Sequence, residues 1–405
     1  MNRCADVGSI RHGLQFDARV VQSQWHAPSC TWQVTTADGG VFHSRSLAVG
    51  TGGLSRPLMP NVADLDQFQG RVFHSARWQD DVTLQGKRVG VIGTGASAIQ
   101  IVPAIAPQCA TLTLFQRTPA WIIPREDKPV PTKTRALYQR WPWRQRLNRA
   151  LTYVRLESRM FGFTRAQILL RHAQKRVQRY LAHQIKDRDL RQKLTPHYTL
   201  GCKRILLSDD FYPALQRPNV SLANHAVVRA TPTGVITADG AHHVLDVLIA
   251  ATGFQVADAG TPFDIKGQNG MDLNAIWSKG PQAYLGTVVS GFPNLFLMTG
   301  PNTGLGHNSM VYIIESQTRF VMAALAALQA KGVAAFDVKA QEQARFNDTV
   351  QAKLRGSVWN TGGCNSWYLA ADGSNRTLWP DFTFRLRRQL ARFDWSAFEA
   401  IAKPI

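Results

Sequence analysis

The sequence predicts an α/β fold: two parallel-sheet domains in one chain, the second carrying a helical insertion. Three observations lead there. Residues 87–103, KRVGVIGTGASAIQIVP, read as a buried strand, a glycine turn and the start of a helix. The string T-A-D-G occurs at 36–39 and again at 237–240, each time followed by a strand and a T-G pair. Between 126 and 200 the periodicity becomes helical and strongly basic.

Residues 14–25 and 31–52 alternate as strands, and A-D-G-G at 37–40, within the second stretch, is a hairpin turn, because Asp-Gly supplies the positive φ that such turns need. Gly39 to Gly52 and Gly240 to Gly253 are equally spaced, which marks two copies of one supersecondary unit. Between the copies lie the glycine turn, the helix SAIQIVPAIAPQ and the strand TLTLFQR, the opening of a doubly wound domain. Strands resume at NVSLAN, and the second T-A-D-G unit closes that domain at Gly253. FPNLFLMTGPNTGLGHNS then gives a strand and a glycine-rich loop, followed by helices over 315–331 and 341–355 and a tryptophan-rich tail.

Composition narrows the classes. The 405 residues are 44% hydrophobic and show no apolar leader. The most apolar stretch, from Arg319, is broken by Gln329 and Lys331 and reads as a buried helix rather than a membrane span. The net charge is +20, and about twenty of the 47 basic residues fall between Arg125 and Arg204. They alternate with Leu, Val and Tyr at helical spacing, which favours solvated helix faces over a nucleic-acid surface. Cys4, Cys30, Cys109, Cys202 and Cys364 stand far apart without metal-like spacing, a pattern that suits a reducing cytoplasm, and no metal site is expected.

Gly93, Gly95 and Ala98 fit G-x-G-x-x-A, a dinucleotide-binding fingerprint of Rossmann-like domains. The first glycine makes the turn, the second admits a pyrophosphate, and Ala98 keeps helix against strand. Thr94, Ala96, Ser97 and Gln100 complete the candidate site. GASAI also approaches the G-x-S-x-G nucleophile elbow, but Ile99 replaces its last glycine. At the end of the second strand, where an NAD site places a carboxylate, the chain has Gln116, Arg117 and Thr118. A guanidinium and a hydroxyl suit a 2′-phosphate, so NADPH is expected.

Just ahead of the glycine turn, FQGRVFHSARWQ reads F-x-G-x-x-x-H-x-x-x-W, with Phe68, Gly70, His74 and Trp78. At this point the chain resembles the Baeyer–Villiger monooxygenases, within the wider flavin-containing monooxygenase group; Gln79 stands where the family usually has Pro or Asp. The resemblance covers nearly the whole chain. GTGGLS, with Thr51 and Gly52, and AATGF, with Thr252 and Gly253, look like the linkers between an FAD and an NADP domain. GCKRILLSDDFYPAL resembles the family's Lys-Arg segment, PNLFLMTGPNTGLGHNS its late flavin-contacting loop and VWNTGGCNSWYLA its mobile C-terminal loop.

That resemblance implies two dinucleotide-binding domains: 1–60 as part of the FAD domain, 61–125 and 201–255 as the NADP domain, 126–200 as the insertion, and 256–405 as the rest of the FAD domain with the mobile loop. It implies FAD and NADP as cofactors, with Lys203 contacting NADP, Arg204 over the flavin, Trp359 reaching the nicotinamide end on loop closure, and Asn302 and Met310 beside the flavin. The implied reaction inserts one atom of O2 into a ketone through a C4a-peroxyflavin that a cation such as Arg204 keeps anionic; N- or S-oxidation on the same architecture is the alternative. No G-x-G-x-x-G precedes residue 38, so a first domain truncated by a hundred or more N-terminal residues is expected, with a non-catalytic NADP-binding remnant as a further reading.

Overall fold

The computed structural model describes residues 2–256, 260–370 and 372–403. After a short helix α1 (Asn2–Val7), strands β1 (Val20–His26), β2 (Thr31–Thr36) and β3 (Val41–Ser44) form an antiparallel meander. Strand β1 starts at Val20, later than the alternation from residue 14 suggests. Trp25 and Trp32 face each other across β1 and β2 at 5.6 Å, and the Trp32 indole donates to the Pro293 carbonyl at 2.8 Å. The Asp38 carboxylate accepts from the Thr36 hydroxyl, and Gly39 takes φ +86°, so the hairpin closes as its sequence requires. Strand β4 (Leu47–Val49) follows.

The second unit begins with β5 (Arg71–His74), then β6 (Arg88–Ile92), helix α2 (Ala98–Ile105) and β7 (Thr111–Phe115). A two-residue strand β8 (Ile122–Ile123) leads into the insertion: α3 (Thr132–Arg140), α4 (Pro142–Thr164), α5 (Gln167–Gln184) and α6 (Arg188–Lys193). The chain returns through β9 (Leu206–Leu207), paired in parallel with β8, so the insertion is tied off at its base. Helix α7 (Phe211–Leu215) and β10 (Val220–Ala223) follow. Next come the antiparallel strands β11 (Val227–Thr231), β12 (Gly234–Thr237) and β13 (His242–Val244), and then β14 (Val247–Ala250).

Strands β10, β7, β6, β14 and β5 make one parallel sheet in that order. Its faces are both covered, and the central strands β6 and β14 accordingly read as apolar runs. Val89, Val91, Leu112 and Leu114 pack with α2 and α7, while Phe115 and Leu248 pack under β11–β13. The β12–β13 turn repeats the first: Gly240 has φ +85°, and the Thr237 amide bonds the Ala241 carbonyl at 3.0 Å. The internal repeat read from the sequence is thus a real repeat of structure, a meander followed by a parallel strand.

Strand β15 (Asp264–Lys266) adds in parallel to β1, and helix α8 (Leu273–Ile276) follows it. Strand β16 (Leu295–Leu297) then pairs in parallel with β4. Helix α9 (Met310–Lys331) begins five residues before the expected start, because Ser309 caps it by accepting from the Val311 amide. By length and composition α9 could cross a membrane. One face of it is nevertheless packed, with Ile313, Phe320, Ala324 and Leu328 buried, and its Gln317 bonds Thr299, Gly286, Thr287 and Leu297. Strand β17 (Ala335–Val338), helices α10 (Ala340–Arg355), α11 (Val358–Thr361) and α12 (Thr383–Gln389), and β18 (Phe398–Ile401), antiparallel to β17, complete the chain.

Candidate functional site

The glycine turn leaves β6 with Gly93 at φ +118°. A Cβ there would lie 2.4 Å from the Ala251 carbonyl oxygen, so only glycine passes so close to β14. Gly95 is exposed and a Cβ on it would meet nothing within 4 Å, which leaves the backbone ahead of α2 open to a phosphate. Ala98 is fully buried against the sheet, as its position in the fingerprint predicts. The Thr94 hydroxyl turns inward and donates to the Thr118 carbonyl at 2.7 Å, tying the turn to the loop after β7. Ala96 and Ser97 are half-buried at the head of α2, and Gln100 is exposed with its amide on the Ala96 carbonyl at 2.6 Å. These residues fit a dinucleotide pyrophosphate.

In that loop the three residues after β7 divide their work. Gln116 is buried, and its amide donates to the Lys193 carbonyl and the Asn224 side chain, so it braces the insertion against the sheet. Thr118 is half-buried. Arg117 is exposed and lines a shallow cavity of about 430 Å³ with Asp189, Gln192, Lys193, His197 and Asn224. Lys203 approaches from the far side of the insertion, its ammonium 5.3 Å from the Tyr198 ring. Burial holds the Lys203 pKa below its ordinary value, and the like charge of Arg117 adds to the effect. The two cations are thus near enough to repel each other, and neither forms an ion pair among the described residues. A doubly charged phosphate fits there. The adjacent Arg204 is exposed, also without an ion pair among the described residues, and lies near Tyr368. Burial pushes the Tyr368 hydroxyl up to about 12, with Arg204 opposing.

The two T-G linkers run side by side. Leu58 N bonds Gly253 O and Gln255 N bonds Arg56 O, each at 3.0 Å, and the Thr252 hydroxyl donates to the Leu58 carbonyl. His74, at the end of β5, packs its ring 5.7 Å from Phe254 in this crossing. Its Nδ1 accepts from the Ala76 amide at 3.1 Å, while Nε2 faces the Gly253 backbone without a well-formed hydrogen bond. Burial holds the His74 pKa below its ordinary value. The rest of the motif is steric: Phe68 is buried, a Cβ on Gly70 would lie 2.4 Å from the Asp246 carbonyl oxygen, and Trp78 packs edge-on to Phe73. Read from pattern alone His74 is a loop histidine; the structure makes it the plug of the linker crossing.

Thr51 and Gly52 are exposed, and Gly52 lies beside Thr299 of the glycine-rich loop, so these backbones form one open edge that suits a flavin. The Asn302 side chain does not face that edge. It is buried, donating to the Asn375 and Leu378 carbonyls at 2.8 and 3.0 Å. Met310, half-buried, opens α9.

The C-terminal segment departs most from expectation. Trp359, expected on a mobile loop, is 1% exposed in α11, where it packs against Phe163 of the insertion and Gly306 of the glycine-rich loop. Cys202 and Cys364, expected as free scattered thiols, are joined by a disulfide across a sequence separation of 162. This bond fastens the Lys203–Arg204 segment to the turn after Trp359, beside a Thr199 N to Gly362 O hydrogen bond of 2.9 Å. Glu157 of α4 is a second tie that sequence reading missed. Its buried carboxylate accepts from His307, Asn308, and both the amide and hydroxyl of Thr383, joining the insertion, the glycine-rich loop and α12. Burial works to raise its pKa, but these hydrogen bonds together bring it below the ordinary value. An acidic residue alone in a long basic helix was the available signal.

Comparison with known proteins agrees with this geometry. The model of the flavin-binding monooxygenase-like family matches residues 6–263. The chain is 43% identical over 406 residues to a Baeyer–Villiger monooxygenase of Pseudomonas aeruginosa, covering 100% of this chain and 77% of that protein. It is 40% identical to one from Streptomyces coelicolor, covering 99% and 77%. A crystal structure of OTEMO in complex with FAD and NADP superposes with a TM-score of 0.87 at 26% identity, covering 98% of this chain and 83% of that one. A strand–glycine turn–helix of dinucleotide-binding form, the histidine motif at the linker crossing and these matches together place the chain in the flavin-binding monooxygenase-like family, among the Baeyer–Villiger monooxygenases.

Proposed function

We propose that this chain, with FAD and NADPH bound, inserts one atom of O2 into a ketone to give an ester or lactone, the other atom leaving as water. When bound, the two cofactors supply the redox chemistry that divides O2 in this way. The open backbone at Gly93–Gly95 takes the NADPH pyrophosphate, and Arg117 with Lys203 takes its 2′-phosphate. The double linker and the Thr299 loop border the flavin. The observation that carries the reading is Arg204, a guanidinium next to the NADPH-binding Lys203 and unpaired among the described residues. A cation free of a counter-charge stabilises negative charge developing on oxygen and holds it against protonation. Asn302 and Trp359 act on the site through packing, by bracing the glycine-rich loop.

In the flavin-loaded enzyme, Arg204→Ala is expected to keep NADPH oxidation while ester yield falls about 100-fold, the order seen when one charge-stabilising donor is removed. The NADPH consumed then appears as hydrogen peroxide. Normal ester yield in the variant removes Arg204 from this role. Product analysis of a ketone beside a thioether tests the reaction class, and turnover of the thioether alone favours heteroatom oxidation.

A further inference from the structure

Helix α4 carries an apolar stripe that none of the described residues covers. Trp143, Leu147, Leu151, Val154 and Phe161 are 45–62% exposed. At about 100° per residue, they fall with Ser158 within an arc of roughly 80°. Arginines flank the arc: Arg144 and Arg155 on one side, Arg146 on the other, with Arg149 beyond it, all exposed. Neither α3 nor α4 has an exposed acid, since Glu157 is their one carboxylate and is buried. The stripe continues past Phe161 through Phe382, 5.1 Å away, to the half-exposed Phe384, stacked 5.2 Å beyond. There α12 adds Arg385, Arg387 and Arg388. Guanidinium groups sit over the two tryptophans at the N-terminal end, Arg140 on Trp141 and Arg144 on Trp143.

We propose that this face of α4 lies on an anionic lipid bilayer, with the stripe in the acyl boundary and the arginines on the headgroups. A single-sided apolar arc bordered by arginines and headed by tryptophan matches an interfacial helix. A nucleic acid would leave the aliphatic arc without use. A second copy of the chain would bring the two arginine borders face to face. Of these occupants only an anionic bilayer complements both the arc and its border. The helix lies along the surface and does not span it.

The test is co-sedimentation of the full chain with vesicles of phosphatidylcholine containing phosphatidylglycerol, against phosphatidylcholine alone. Wild type should sediment with the anionic vesicles, and increasingly less as salt rises. Leu147→Ser/Leu151→Ser/Val154→Ser keeps every charge and should bind at least about tenfold more weakly. These side chains are exposed, so circular dichroism should show an unchanged fold. Brominated lipid should quench wild-type emission more than that of Trp143→Phe. Equal binding by the triple variant would trace attraction to the overall +20 charge and overturn the proposal. Wild type left in the supernatant, or a wild-type dimer that the triple variant turns into a monomer without vesicle binding, overturns it equally.

Discussion

Replacing Arg117 by alanine separates the two nicotinamide cofactors. In the structure Arg117 and Lys203 are near enough to repel each other, and their like charges help to depress the Lys203 pKa. Each cation gains when a phosphate dianion enters between them. Loss of one charge-assisted hydrogen bond costs about 1.5–3 kcal/mol, so NADP+ affinity should fall roughly 10- to 150-fold. NAD+ lacks the 2′-phosphate and should bind the variant within about twofold of wild type. Lys203→Ala should behave similarly, and the double variant should lose less than the sum of the two, since both cations serve one phosphate. Isothermal titration with NADP+ and NAD+ measures all of this without turnover. Equal losses for both cofactors, or strict additivity in the double variant, would show that the pair does not read the 2′-phosphate.

Three further outcomes concern stability. Burial raises the Asp337 pKa to about 6, its Oδ2 accepting from the Gly291 amide while Oδ1 has no partner. The folded state therefore holds this proton more tightly than the unfolded chain, so stability from this site is full below about pH 4 and falls by about 2–3 kcal/mol as pH rises through 6; Asp337→Asn should remove that slope, and parallel denaturant-melt profiles for the two proteins would refute it. Glu157→Ala strands His307, Asn308 and Thr383 without their acceptor and should cost about 3–5 kcal/mol in urea melts, whereas Glu157→Gln, which keeps an acceptor oxygen, should cost less. Cys364→Ser opens a covalent loop of 162 residues' separation and should lower stability by up to about 5 kcal/mol in the chain-entropy view, with thiol titration rising from three free cysteines to four, Cys4, Cys30, Cys109 and Cys202; an unchanged melt with a thiol count falling from five to four would show the bond absent in solution.

What was legible in the sequence was whatever is encoded locally. The glycine turn, the central parallel strands with their apolar runs and the paired T-A-D-G hairpins each rest on neighbours within a few residues, so pattern finds them. Arg117 was singled out by its position after a strand and Arg204 by the family resemblance, and both are exposed and without an ion pair among the described residues. The tie between Cys202 and Cys364 and the cluster on Glu157 could not be read, because their partners are more than 140 residues apart and no spacing rule links them. For Asn302, Gln116 and Trp359 the sequence identified the segment but not the direction of the side chain. Each is turned inward by a contact from a distant element, Leu378 for Asn302, Lys193 for Gln116 and Phe163 for Trp359.

The paired linkers have a mechanical consequence. Two covalent crossings zipped by Leu58–Gly253 and Arg56–Gln255 hydrogen bonds form a narrow ribbon. A ribbon resists sliding and bending in its own plane but twists readily, since twisting leaves the short bonds between its strands almost unchanged in length. The Cys202–Cys364 bond and the Glu157 cluster hold the same unit to the C-terminal segment at other points, so they restrain the twist that the ribbon alone would allow. The His74 ring is wedged against Phe254 where the ribbon meets β5, and so anchors the ribbon to the edge of the parallel sheet.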